Sequence, residues 1–183
     1  MLENQVSFCL NLEKMETKLF LVTEIEGKGL GCVAQKHIKR GTLILREQPC
    51  LLLQPGLKNT KYFDDAFHGY EQMDNDQKYM FFDLANCYDG QIEVLTSYLK
   101  ENPKLYADDI AQKVIQIIDT NGFHNGVFLE SSRFNHSCVS NAEQFWNEDV
   151  NARDVRAIRY GYFRDHQHNF GLFLTQPPTI SAI

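Results

Sequence analysis

The chain lacks the cysteine spacing that would indicate disulfides or structural zinc. Its five cysteines, at positions 9, 32, 50, 87 and 138, are odd in number and include no C-x-x-C pair. Neither a disulfide framework nor a zinc cluster is therefore predicted. We expect reduced thiols that mostly pack as small apolar groups, and no metal site.

Long hydrophobic stretches are missing as well. Apolar runs such as residues 51–53 and 80–82 are far shorter than the roughly 20 residues that span a bilayer as a helix. The N-terminus has no basic segment followed by an apolar one, which a secretory signal would show. We expect a protein of the nucleus or the cytoplasm that does not enter a membrane.

A basic excess is also absent, since 18 lysines and arginines stand against 24 acidic residues and give a net charge of −6. Domains that bind nucleic acid directly usually carry a basic patch, so we expect no such binding. An acidic surface favours lysine-rich polypeptides instead. The hydrophobic share of 43% is that of an ordinary globular domain.

The apolar pattern predicts an α+β protein that opens with short strands. Runs of β character at 19–22, 30–34 and 42–45 follow one another with glycines between them. This succession is typical of hairpins rather than of βαβ units. Two further strands are predicted near the end, at 142–146 and 152–158, around a polar turn.

Helical spacing occupies the middle of the chain, at about residues 55–120. Asp74 and Gln77 predict a capping box that starts one helix, which we expect to end at Gly90. A second helix is predicted at 92–100. A third is predicted at 107–119, with one apolar face made of Ile110, Val114, Ile117 and Ile118.

Two polar segments stand out for their composition. Residues 133–141 read RFNHSCVSN, and their Asn, Ser and His side chains can bond nearby backbone groups, as in an irregular connector. Residues 26–31 read EGKGLG, whose glycines allow a hairpin turn or a close approach of the main chain to a ligand. Each segment alone is a weak signal.

Together, the two segments resemble a known family. RFNHSCVSN is similar to the asparagine-histidine-serine-cysteine signature of SET-domain protein lysine methyltransferases, and EGKGLG is similar to their N-terminal glycine motif. Their separation resembles the SMYD-type and related fungal subgroup, in which a helical insert splits the SET domain. The resemblance covers residues 19–159 and implies a SET-like β fold, with residues 1–18 as a leader and 160–183 as a tail.

The resemblance also implies a cofactor, S-adenosyl-L-methionine, and a substrate, a lysine-containing protein such as a histone. In the family's terms, Lys28, Gly29 and Leu30 would contact the amino-acid end of the cofactor. The backbone of Asn135 and His136 would hold its adenine. Asn121 matches an asparagine that contacts the cofactor in SMYD-type enzymes.

The sequence departs from the family pattern after Arg159. Tyr160 and Tyr162 lie too close to Arg159 to match the family's C-terminal tyrosine, so no catalytic residue is assigned. The divergent tail is what a truncated product would show. Two interpretations remain open: a methyltransferase, or a non-catalytic SET-like module that binds the cofactor, or binds a protein partner through its helical insert.

Other functional interpretations are weaker. His136 and Cys138 could suggest a Cys-His hydrolase, but no orienting acid or oxyanion hole accompanies them. An H-x-H pair at 166 and 168 is typical of exposed histidines. Phe123 and Trp146 could contact a ligand, although their type and spacing favour ordinary core residues.

Overall fold

The computed structural model describes residues 18–53, 59–87, 90–102, 108–123, 126–159 and 172–174. Its strands are β1 (Phe20–Ile25), β2 (Gly29–Ala34), β3 (Leu43–Glu47), β4 (Leu51–Leu52), β5 (Gly126–Val127), β6 (Asn135–His136), β7 (Ala142–Asn147), β8 (Ala152–Ala157) and β9 (Phe173–Leu174). Its helices are α1 (Thr60–Gln72), α2 (Asn75–Phe82), α3 (Glu93–Glu101), α4 (Asp108–Asn121) and a short 3-10 helix, Ser131–Arg133. The predicted α+β class is confirmed.

The chain divides into two compact units. The sheet unit comprises Met1–Arg46, Arg133–Asn147 and Asp154–Ile183, and the helical unit comprises Glu47–Ser132 and Glu148–Arg153. The four α-helices found among the described residues all lie in the helical unit. Among the residues described, none of the helices is long and apolar enough to cross a membrane.

The sheet unit begins with the predicted hairpin of β1 and β2. The strands are antiparallel and pair Phe20 with Ala34 and Ile25 with Gly29. Behind the hairpin lies an apolar cluster in which the rings of Phe20 and Phe134 meet edge to face at 5.1 Å. Its buried members are Phe20, Cys32, Ala34, Ile38, Ile44, Phe134, Ala142, Val155, Ala157 and Leu172.

A five-stranded sheet has the order β3-β8-β7-β9-β6. The predicted pair β7 and β8 is present, whereas no secondary structure was predicted for the tail. Instead, β9 lies between β7 and β6 and runs parallel to both. Leu172, just before β9, is 2% exposed and donates its backbone N–H to the carbonyl of Cys32 at 2.7 Å. A two-residue strand is too short to show a period, so the sequence gives no local signal for it.

The helical unit has its own core, built on α1 and α4. The largest fully covered side chains here include Phe63, Phe81, Ile115, Ile117 and Ile118. Three of the four residues predicted to face inward on α4 are buried, but Ile110 is 42% exposed. The first turn of that helix therefore contributes less to the core than its spacing predicts.

Helix α2 confirms the predicted capping box and corrects the predicted end. Asp74 accepts the backbone N–H of Gln77 at 2.7 Å, and the Gln77 side chain accepts that of Asp74 at 3.1 Å. The helix ends at Phe82 rather than at Gly90. Beyond it, side chains on α4 bind the segment: Asn86 donates to Gln116, and Cys87 bonds to Thr120. These bonds to α4 hold residues 86 and 87 away from a continuation of helix α2.

A covered carboxylate, Asp154, ties the sheet unit together. Arg46 donates two hydrogen bonds to it, at 2.6 and 2.7 Å, while Asn147 and Arg156 approach the same carboxylate at 3.3 and 3.4 Å. Its side chain is 0% exposed. The bonds from Arg46 lower the pKa of Asp154 from 3.8 to about 2, against the opposing effect of burial.

We expect Asp154→Asn to lower the free energy of unfolding by about 2 kcal/mol at pH 7, because bonds to a charged, covered carboxylate are lost. The pKa of Asp154 is lower in the folded than in the unfolded protein. The stabilisation is therefore fully present above the unfolded-state pKa and is lost as the pH falls through the folded-state pKa. The difference between wild type and variant should therefore narrow at pH 3, as urea unfolding at the two pH values would measure.

The matched control is Asp65→Asn, which neutralises a carboxylate that pairs with Lys61 on the surface of α1. An exposed pair four residues apart on a helix contributes about 0.3–0.5 kcal/mol. An Asp154 variant that costs no more than this control would show that the network does not stabilise the fold.

Candidate functional site

The glycine segment forms the turn of the β1–β2 hairpin. Lys28 donates its backbone N–H to the carbonyl of Ile25 at 2.9 Å. Gly27 and Gly29, on either side of Lys28, have φ of 71° and 67°, which L-residues with a side chain rarely adopt. The sequence thus has glycine at the two positions where this turn requires it, and Leu30 follows with 43% of its surface exposed.

The asparagine-histidine segment lies directly against this hairpin. Asn135 donates a side-chain hydrogen bond to the carbonyl of Leu30 at 3.4 Å. The two residues are 105 positions apart in sequence. The structure therefore brings together, within the sheet unit, the two motifs that the sequence had paired only by resemblance.

Gly31 allows this approach because it has no side chain. A Cβ at this position would overlap Nδ2 of Asn135 and would lie 2.5 Å from Cδ1 of Ile25. Atoms cannot pack at such separations without displacement of a neighbour. The third glycine of the motif thus serves a different purpose from the first two, which shape the turn.

Asn135 and His136 form β6, whose backbone is fixed by β9. Asn135 pairs with Phe173 and His136 with Leu174, in parallel. The side chain of His136 is exposed, and that of Asn135 is half-buried. Together with the hairpin turn, β6 offers main-chain polar groups, an amide and an imidazole. Such groups suit the binding of a polar ligand by shape and hydrogen bonds.

The chain then turns through Ser137 and Cys138. The Ser137 hydroxyl accepts the backbone N–H of Val139 at 3.1 Å, and Cys138 is exposed. Ser140 is buried, and the next residue, Asn141, accepts the backbone N–H of Ile158 at 2.9 Å. In the part of the chain that the structure describes, no group of three or more His, Cys, Asp or Glu side chains could hold a metal ion.

Asn121 belongs to the helical unit and ends α4. Its side-chain amide donates to the carbonyls of Ala85 at 2.7 Å and Ile117 at 2.8 Å. Its own backbone carbonyl accepts the Ser132 hydroxyl at 3.4 Å. The side chain therefore fixes the end of the helix, and contact of Asn121 with a cofactor stays a prediction.

A cluster around the Glu47 carboxylate in the helical unit was not predicted from the sequence. The Glu47 carboxylate accepts the backbone N–H groups of Glu130 at 2.9 Å and Ser131 at 2.7 Å, and also the Ser131 hydroxyl. Burial raises the pKa of Glu47, and these bonds oppose the rise. The guanidinium carbon of Arg153 lies 3.8 Å from the centre of the Phe123 ring.

The chain matches one family of known domains over most of its length. The model for the SET domain matches residues 29–168. A curated relative, the histone-lysine N-methyltransferase set5 of Schizosaccharomyces pombe, is 26% identical over 144 residues, which is 79% of this chain and 39% of the relative.

A solved structure shares the fold. It is the crystal structure of the SET domain of LSMT bound to lysine and AdoHcy, with a TM-score of 0.57 and 12% identity, covering 94% of this chain and 53% of that one. The chain therefore spans 39% of the length of this curated relative and 53% of the length of this solved chain.

Replacing Gly31 by alanine is expected to destabilise the protein by about 2 kcal/mol, because an added methyl group must displace packed neighbours. Asn135→Ala removes one of the two obstructing side chains. The double variant should therefore lose less stability than the two single variants together. Urea unfolding of the four proteins measures this coupling.

Gly90→Ala is the matched control, since a Cβ at position 90 would meet no atom within 4 Å. Its free energy of unfolding should stay within about 0.5 kcal/mol of wild type. Strict additivity of Gly31→Ala and Asn135→Ala would show that the two residues do not touch in solution.

Proposed function

Because the chain belongs to the SET-domain family, we propose that it is an S-adenosyl-L-methionine-dependent protein lysine methyltransferase. The observation that carries the proposal is the contact of Asn135 with Leu30 and Gly31, which joins the family's two cofactor motifs in one unit. The names of the two matched proteins, a histone-lysine N-methyltransferase and a SET domain bound to lysine and AdoHcy, support the same reaction.

We assign the cofactor contacts to six residues. The turn at Lys28, Gly29 and Leu30 would hold the amino-acid end, since its glycines adopt positive φ and allow a close approach of the main chain to a ligand. The backbone of Asn135 and His136, fixed on one edge by β9, would hold the adenine. Asn121, at the end of α4, would supply a further contact.

The reaction transfers a methyl group from the sulfonium of the cofactor to a lysine nitrogen. A lysine ε-amine has a pKa near 10.4 and must first lose its proton to solvent. Desolvation in a narrow channel lowers that pKa, and alignment of nitrogen, carbon and sulfur lets the new N–C bond form as the C–S bond breaks. The positioning tyrosine stays unassigned, since Tyr160 and Tyr162 lie too close to Arg159 to match the family pattern; both also lie outside the described residues.

The helices at 60–121 support a place in the SMYD-type and related fungal subgroup. The acidic character of the helical unit also supports a basic protein, such as a histone, as substrate. The segments of the helical unit carry two thirds of the chain's acidic residues but fewer than half of its lysines and arginines. Opposite charge would attract a lysine-rich tail, or a protein partner that docks on the helices.

We further propose the nucleus or the cytoplasm as the place of action. No disulfide links the described cysteines, at positions 32, 50, 87 and 138, and those at 87 and 138 are exposed. Exposed thiols persist unpaired where the surroundings are reducing. Localisation of a fluorescently tagged chain in fungal cells would test this, and a signal in the secretory pathway would contradict it.

S-adenosylmethionine should raise the melting temperature, because a ligand that binds only the folded state stabilises it. Asn135→Ala should weaken binding about fivefold, since the loss of one hydrogen bond frees β6 from the hairpin. The control is Asn86→Ala, an exposed asparagine on the helical unit that bonds Gln116. No shift of the wild type at millimolar cofactor would contradict the proposed cofactor.

Incubation with cofactor labelled on the methyl group and with core histones should transfer label to lysine. Arginine-substituted histone tails, which keep the charge but lack the lysine amine, are the matched negative substrate. Binding of the cofactor without transfer to any histone or cell-extract protein would favour the alternative of a non-catalytic SET-like binding module.

A further inference from the structure

Positive charge is distributed unevenly along the chain. The segments of the sheet unit carry more than half of the lysines and arginines but only a third of the acidic residues. From residue 27 to residue 46 the sequence has no acidic residue, and it carries five cations, Lys28, Lys36, Lys39, Arg40 and Arg46. The net charge of −6, from which no binding of nucleic acid was predicted, therefore conceals a basic region. Local charge sets the potential that a ligand meets at a surface.

Much of this charge lies on residues 35–41, which read QKHIKRG and which we call the basic loop. Lys36, Lys39 and Arg40 are exposed, whereas Ile38 is 1% exposed and belongs to the apolar cluster of the sheet unit. Among the described residues, no acidic side chain pairs with any of these three cations. The buried Ile38 thus anchors a loop whose charged side chains face solvent.

The basic loop is fixed against the end of β8, which adds further cations. Gly41 donates its backbone N–H to the carbonyl of Ala157 at 2.7 Å, and Ala157 donates its own to the carbonyl of Thr42 at 3.0 Å. The Arg156 guanidinium donates to the carbonyl of Gly41 at 3.3 Å. Arg159, two residues beyond Ala157, is exposed. These adjoining segments form what we call the basic surface, made of Lys36, Lys39, Arg40, Arg156 and Arg159.

Acidic groups beside the basic surface offset only part of its charge. Asp154 has a side chain that is 0% exposed and is shared between Arg46 and Arg156, so one carboxylate faces two guanidinium groups. Glu143 is exposed on the neighbouring strand β7. In the part of the chain that the structure describes, it forms no ion pair with the basic surface. The excess of positive charge is therefore available to an external anion.

We propose that the basic surface binds the phosphate backbone of a nucleic acid. Arginine forks and lysine ammonium groups both bind phosphates, and several cations on one surface match a ligand whose charge repeats along its length. The hydrogen bonds between the basic loop and β8 hold the cations in place, which reduces the entropy lost on binding. Contacts to phosphates carry no sequence information, so binding is independent of base sequence. The proposal does not rest on the proposed methyl transfer.

Two other polyanions fit the basic surface less well. Segments that bind anionic membranes combine basic residues with apolar side chains that enter the lipid. The large apolar residue of the basic loop, Ile38, is buried instead. An acidic peptide is usually held in one register by apolar or aromatic anchors, and the basic loop exposes none. Phosphates of a nucleic acid need no such anchor.

The experiment removes charge from the basic loop of the full chain. Lys39→Gln combined with Arg40→Gln removes two exposed charges, and Lys39→Arg combined with Arg40→Lys keeps both. The matched control is Lys61→Gln combined with Lys100→Gln, which removes two exposed lysines of the helical unit and changes the net charge equally. Arg159→Gln tests the contribution of β8 separately, and it serves if the first double variant does not fold.

The readout is the Kd for a fluorescent duplex DNA and for a single-stranded RNA, each of mixed sequence and about 20 nucleotides long, between about 50 and 200 mM salt. The wild type should bind at least one of them with a Kd of about 10⁻⁶–10⁻⁴ M, and the tighter ligand identifies the source of the phosphates. The glutamine double variant should bind about tenfold more weakly at the lower salt. Its slope of log Kd against log salt should fall by about 2, and that of Arg159→Gln by about 1.

The charge-preserving variant and the control should both stay within about twofold of wild type. Equal weakening in the control would overturn the proposal, because total charge and not the basic surface would then govern binding. No binding of either nucleic acid at the lower salt would overturn it as well. Tighter binding of polyglutamate or of phosphatidylserine vesicles, tested at equal negative charge, would assign the surface to an acidic protein or a membrane instead. Since the assay contains no cofactor, failure of methyl transfer does not affect its outcome.

Discussion

The close approach at Gly31 is the constraint on which the candidate site depends. The hairpin and β6 come from distant parts of the chain, and they meet because one residue has no side chain. A hydrogen bond from the Asn135 side chain to the Leu30 carbonyl also joins them. This contact is small in energy, but it determines whether the two motifs act as one site or as two unrelated surface segments.

Covered charges give each unit its fixed geometry. In the sheet unit, the carboxylate of Asp154 gathers Arg46, Asn147 and Arg156. In the helical unit, Glu47 accepts the backbone N–H groups of Glu130 and Ser131. A buried charge is costly unless several donors or acceptors satisfy it, so such groups favour one arrangement over its near alternatives. Both clusters join residues that lie far apart in sequence.

Features that depend on neighbouring residues, such as turns and helix caps, could be predicted from the sequence. Contacts between residues far apart in the chain could not. The turn at Gly27 and Gly29 and the capping box at Asp74 follow from side-chain type within a few residues, and both are confirmed. The pairing of the two motifs came from family resemblance, because no local pattern announces a contact 105 residues apart. The stacking of Arg153 on Phe123 gave no signal at all, since a lone arginine in a strand usually indicates a solvated position.

The parallel strand β9 has a consequence for how the polypeptide acquires its native state. Asn135 and His136 are synthesised well before Phe173 and Leu174, yet the later segment must insert between β6 and β7. Until residues 173 and 174 leave the ribosome, the backbone groups of β6 and β7 that pair with β9 have no partner strand. Parallel pairing over such distances forms slowly. A nascent chain paused before this point would therefore be the species most in need of a chaperone.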